Sequence, residues 1–186
     1  MRILVSMPCG AVRDSFIPDR SVFQPIAAEK EITWNPFSRQ WSKEELADKL
    51  VETGAQVLVT GWGSQRIDAD ILRYTEHLSV IAHTGGSVAG LTDNTVFERG
   101  IAVFSGNELY AQSVAESVIA YSLTLLRDIP RYTTELQKHG WSQTGWYNEG
   151  LIGQRVGLIG FGAVARHTAS LLRAFGCTVL VCMADF

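Results

Sequence analysis

Residues 154–182 read QRVGLIGFGAVARHTASLLRAFGCTVLVC, and the organisation of the chain is decided there. The apolar run Arg155–Ile159 predicts a strand. Glycines interrupt it, a helix is expected from about Ala163 to Phe175, Gly176 ends that helix, and Thr178–Cys182 predicts a second strand. The turn Gly160-Phe161-Gly162-Ala163-Val164-Ala165 matches G-x-G-x-x-G/A. In such a turn Gly160 permits the sharp reversal and Gly162 lets the main chain approach a pyrophosphate. The small Ala165 lets the helix pack closely on the strands. Free amides at the helix start, with the positive end of its dipole, then hold the anion. A glycine triplet alone is a weak signal; one that follows a strand, opens a helix and leads to a second strand points to dinucleotide binding, the alternative being a glycine turn that merely joins strand to helix.

Upstream of this unit, strands alternate with helices. Arg2–Met7, Glu31–Trp34, Gln56–Thr60, Leu78–Ala82 and Ile101–Phe104 read as five strands. Between them Ser42 caps a helix running to Thr53, with Glu45 three residues on, and Asp68–Thr75 predicts a short helix. Continuous rather than alternating apolar strands predict a parallel sheet covered on both faces, an α/β, doubly wound domain. Ser113–Arg127 predicts a long helix whose broad apolar surface is expected to be buried nearly all round. Asp128–Gly150 is polar and aromatic, carries Trp141 and Trp146, and reads as the connection into a second domain.

Bulk properties exclude several classes. Apolar residues make up 46% and charged ones 19%, which supports a packed core rather than disorder. A net charge of −3 with no basic run argues against nucleic acid as a partner. No apolar stretch is long enough to span a bilayer, and the start MRILVSMPCG lacks the regions of a secretory signal, so the expectation is a cytoplasmic protein without membrane contact. Cys9, Cys177 and Cys182 have no zinc spacing and read as free thiols. His77, His83, His139 and His167 are scattered without metal-ligand spacing.

The stretch VAESVIAYSLTLLRDIPRY, followed by QRVGLIGFGAVARHTASLLRAFGCTV, resembles the D-isomer-specific 2-hydroxyacid dehydrogenases, from about Val57 onward. The resemblance implies a flavodoxin-like substrate domain over 1–112. It also implies, over 113–186, a hinge helix and the first β-α-β unit of a Rossmann NAD(P)-binding domain. It implies NAD or NADP as cofactor, a small 2-hydroxy or 2-oxo acid as substrate, and a homodimer. The loop AHTGGSVAG matches the place where relatives hold the substrate carboxylate on main-chain amides, which puts Gly86 and Ser87 in that role. The usual loop is G-x-G-x-D-N; Gly85-Gly86-Ser87-Val88-Ala89-Gly90 departs from it and leaves the acid open. His83 at the mouth of the loop either touches substrate or is a structural or surface polar group. Tyr110, where many relatives carry Asn, either lines the cleft or packs at the domain junction.

Two departures concern the cofactor and the chemistry. An acid about 20 residues past the glycines accepts from the adenosine ribose hydroxyls. Family spacing puts it at Met183, whereas the available carboxylate is Asp185, two places late; either Asp185 shifts into the role or the adenosine pocket differs, and the choice between NAD and NADP stays open. The family's catalytic Arg, Glu and His are expected beyond residue 186, so no catalytic residue is assigned. The 186 residues by themselves are expected to be an N-terminal part without turnover. The alternative reading is a non-catalytic module that binds a carboxylate ligand or a partner chain.

Overall fold

The computed structural model describes residues 1–141 and 148–183, and the chain divides into two compact units, 1–107 and 108–186. Five parallel strands form the sheet of the first unit: β1 (Ile3–Val5), β2 (Ile32–Trp34), β3 (Val57–Thr60), β4 (Val80–His83) and β5 (Ala102–Ser105). Their order is β2-β1-β3-β4-β5, which is the flavodoxin-like winding. The α/β fold read from the apolar runs is the fold observed.

Both faces of the sheet are apolar, which is why the strands read as unbroken hydrophobic runs. Leu4, Leu58 and Ile81 point to one face, under α2 (Lys43–Thr53), α3 (Ala69–Leu72) and α4 (Asn94–Glu98), which contribute Leu46, Leu50, Ile71, Leu72 and Val96. Ile3, Val5, Val57 and Val59 point to the other, where Phe16 of α1 (Ala11–Phe16) and the half-buried Phe23 cover them. Cover thins toward the β5 edge, where Phe104 is 62% exposed. Burial of a Leu or Ile side chain stabilises by about 1.5–3 kcal/mol, so the Leu4–Leu58–Ile81 row across three strands is the spine of this unit. α2 begins with a full capping box: Ser42 Oγ accepts from the Glu45 amide at 3.2 Å, and the Glu45 carboxylate accepts from the Ser42 amide at 2.7 Å.

The second unit holds α5 (Asn107–Leu126, whose first residue belongs to unit one), α6 (Ile129–His139), β6 (Arg155–Ile159), α7 (Ala163–Ala174) and β7 (Thr178–Cys182). β6 and β7 pair in parallel with Arg155 opposite Thr178 and Ile159 opposite Cys182. One expectation needs correction. The long helix begins at Asn107, before Ser113, and is not buried nearly all round: only Ala111 and Ala115 are buried, while Tyr121 is 69% and Leu125 76% exposed. Periodicity reports which side chains are apolar, whereas burial needs a partner surface. Within the stretch read as the connection into a second domain, Ile129–His139 forms α6, with Pro130 in its first turn, where its missing N–H costs nothing. The short helices α1 and α4 were not anticipated, since six and five residues are too few to show a period.

Candidate functional site

The glycine turn lies at the carboxyl end of β6. Gly160 donates its amide to the Cys182 carbonyl at 2.7 Å, which ties the turn to the end of β7. Its φ of +85° is a conformation that side chains with a Cβ avoid, so glycine is needed for shape. Gly162 is different: at φ −74° and ψ −168° it adopts ordinary extended backbone, and a Cβ there would meet no atom within 4 Å. Folding therefore gives no reason for glycine at 162, and the open space in front of it is the space a pyrophosphate would take.

Gly162 is the N-cap of α7, and no side chain caps the helix. The first helical bond runs from the Arg166 amide to the Gly162 carbonyl at 3.0 Å, so the amides of Ala163, Val164 and Ala165 have no acceptor among the described residues. Three convergent donors at the positive end of a twelve-residue helix suit an anion. Phe161 is partly exposed beside them. Thr168, Ala169 and Leu172 bury the opposite side of α7, and Ala165 is half-buried. The residues present fit the phosphate bridge of a dinucleotide. Asp185 falls outside the described residues; Met183, where family spacing would put the ribose acid, is exposed.

A contact that the sequence did not announce braces α7. Glu108 accepts from His167 Nε2 at 3.2 Å and lies 3.6 Å from the Arg166 guanidinium. Sequence separation hid it, for nothing local pairs residue 108 with residue 167.

In the first unit the loop after β4 carries the other expected site. The Gly106 amide donates to the carbonyls of His83 at 3.2 Å and Gly85 at 2.9 Å, which fixes the carbonyl side of the loop. The amides of Gly86 and Ser87 have no acceptor among the described residues. Both residues line a cavity of about 580 Å³ together with Ser105, Asn107 and Phe97. Asn107 Oδ1 would lie 3.5 Å from a Cβ at Gly86, an ordinary contact distance, so the amide side chain flanks the loop. Sequence reading gave no signal for Asn107, which precedes the periodic part of its helix.

His83 is buried, and its Nδ1 is 2.9 Å from Thr60 Oγ1 on the neighbouring strand. Desolvation lowers its pKa below the usual 6.5, so the ring is neutral at pH 7. His83 Nε2 and Trp62 Nε1 stand 2.4 and 2.9 Å from where a Cβ of Gly85 would be, which leaves no room for a side chain at 85. Tyr110 is half-buried on α5 in the second unit. The structure thus brings Gly86 and Ser87 to one cavity with His83 at the root of their loop. Among the described residues no group of three or more His, Cys, Asp or Glu could hold a metal ion, and no helix is long and apolar enough to cross a membrane.

Residues 119–184 match the family model "D-isomer specific 2-hydroxyacid dehydrogenase, NAD binding domain". The chain is similar to D-3-phosphoglycerate dehydrogenase of Methanocaldococcus jannaschii, 30% identical over 139 residues that make up 75% of this chain and 26% of that protein. It is also similar to hydroxypyruvate reductase of Thermotoga maritima, 29% identical over 152 residues, 82% of this chain and 47% of that one. Among solved structures, a phosphoglycerate oxidoreductase from Rhizobium etli superposes with a TM-score of 0.74 at 19% identity, covering 100% of this chain and 57% of that one; it attests the fold. The chain spans less than half the length of either curated relative.

Proposed function

Through residues 119–184 the chain belongs to the D-isomer-specific 2-hydroxyacid dehydrogenase family, and from that premise we propose that the complete protein transfers hydride between NAD(P) and a small 2-hydroxy or 2-oxo acid. The observation that carries the proposal is Gly162: an unstrained glycine, open in front, at the uncapped start of α7. The amides of Ala163 to Ala165 hold the pyrophosphate, with Gly160 shaping the turn and Phe161 beside it. Asp185 takes the ribose hydroxyls, and whether the coenzyme is NAD or NADP follows from that pocket. In the first unit the amides of Gly86 and Ser87 grip the substrate carboxylate, with His83 as a further candidate for substrate contact. Hydride acceptance and donation are the chemistry the nicotinamide supplies; this chain's residues bind and orient. The homodimer and the cytoplasmic location belong to the same proposal.

Replacing Gly162 by Val tests it. The φ and the empty surroundings predict an unchanged fold, while the isopropyl group fills the anion's space. NADH and NADPH affinity, measured by calorimetric titration, should fall by at least about tenfold, which is roughly 1.4 kcal/mol. Unchanged affinity for both coenzymes in the folded variant would refute the assignment.

A further inference from the structure

A second crevice in the first unit is unrelated to the Gly86–Ser87 loop by residue content. It opens at the carboxyl ends of β1 and β3, has a volume of about 550 Å³, and is lined by Met7, Cys9, Arg13, Arg39, Gly61 and Trp62 among others. The strand order β2-β1-β3 makes this the point where the chain leaves in opposite directions from adjacent strands, the position at which open α/β sheets receive ligands.

Arg13 gives the crevice its chemistry. It is only 7% exposed and brings a guanidinium cation to the crevice. Nη1 donates to the Asn35 carbonyl at 2.9 Å, and the guanidinium carbon lies 5.4 Å from the Trp34 ring centre. Nη2 has no acceptor among the described residues, and the acid within reach is exposed Asp14, 3.7 Å from Nε. Asp14 is 67% exposed, so solvent weakens that pair and the guanidinium's charge is only partly met. Arg39, on the same crevice, is by contrast held by Glu45 in a two-point pair at 2.6 and 2.7 Å. Met7 supplies an apolar floor. The Trp62 indole forms a wall that also faces Gly85.

We propose that this crevice is a binding site for a small oxyanion, a carboxylate or a phosphate group, whose charge is met by the Arg13 guanidinium. The crevice shares no lining residue with the Gly86–Ser87 cavity or the cofactor turn, so its Arg13 chemistry does not depend on the dehydrogenase reading.

The test is a two-dimensional amide NMR titration of the 186-residue chain with inorganic phosphate in one arm and acetate in the other. Saturable shifts are expected at the Cys9 and Gly61 amides and the Trp62 indole N–H, and the arm with the tighter binding identifies which oxyanion is preferred. Ala11→Phe, an exposed position on the crevice rim, should weaken binding at least about tenfold while Arg13 stays in place. Arg13→Met should do the same; if that variant does not fold, Ala11→Phe decides. Shifts confined to Gly86 and Ser87, a response that never saturates, or undiminished affinity in Ala11→Phe would overturn the proposal.

Discussion

Gly160 and Gly162, two residues apart, are glycines for different reasons, and this makes them separable by mutation. Gly160→Ala forces a Cβ into φ +85° and should cost about 1–3 kcal/mol in urea unfolding followed by circular dichroism. Gly162→Ala should leave the same curve within about 0.5 kcal/mol, since its backbone is ordinary and its surroundings open. Equal losses would mean that both positions serve shape alone. A pH effect also belongs to single residues. The Glu45 carboxyl accepts from Arg39 and from the Ser42 amide, and its pKa falls from 4.5 to about 2. A depressed carboxylate contributes stability that is complete above about pH 4.5 and disappears as pH drops toward 2. In Glu45→Gln the decline of the urea midpoint between pH 5 and pH 2 should be smaller than in the parent; identical declines would remove the Arg39 pair from the explanation.

Elements differ in how far they could be read from sequence, and the difference is physical. The unit β6-turn-α7-β7 was legible because each signal is local: apolar strand, glycine turn, helix, Gly176, strand. Ser42 and Glu45 likewise announced α2, and the observed box confirms why. Ser42→Ala should destabilise by about 1 kcal/mol and speed amide exchange in the first turn of α2 ahead of its last, a comparison that hydrogen-exchange mass spectrometry resolves. What stayed hidden depends on distant partners or on short length. The exposed Tyr121 and Leu125 of α5 are apolar without being covered, and no pattern inside a helix reports its neighbours. For α4 a signal did exist, Asp93, whose carboxylate accepts from the Thr95 amide, but five residues of helix carried no period to support it. Of the candidate sites, the glycine turn and the Gly86–Ser87 loop were visible as runs of small residues, whereas Asn107, Glu108 and Arg13 enter only through the fold.

Within residues 1–186 the two units carry unequal cores. Unit one surrounds β1, β3 and β4 with side chains on both faces, while β6 and β7 form a two-stranded sheet with Ile159 96% exposed. Two strands are marginal by themselves, and three or more with a covered face are usually needed. Amide exchange of the 186-residue chain should therefore be slowest at Leu4, Leu58 and Ile81 and faster at Leu158 and Val181; equal protection would show that the second unit draws stability from elsewhere. The strand order has one more consequence, for the moment of synthesis. β1 lies between β2 and β3, and Ile3 pairs with Val57 on one side only after that residue has been made. At about 5–20 residues per second, the first strand waits several seconds with one edge unpaired. During that interval Ile3, Leu4 and Val5 are a ready template for any neighbouring nascent strand, so the fold whose core they anchor is most open to misassembly before its third strand arrives.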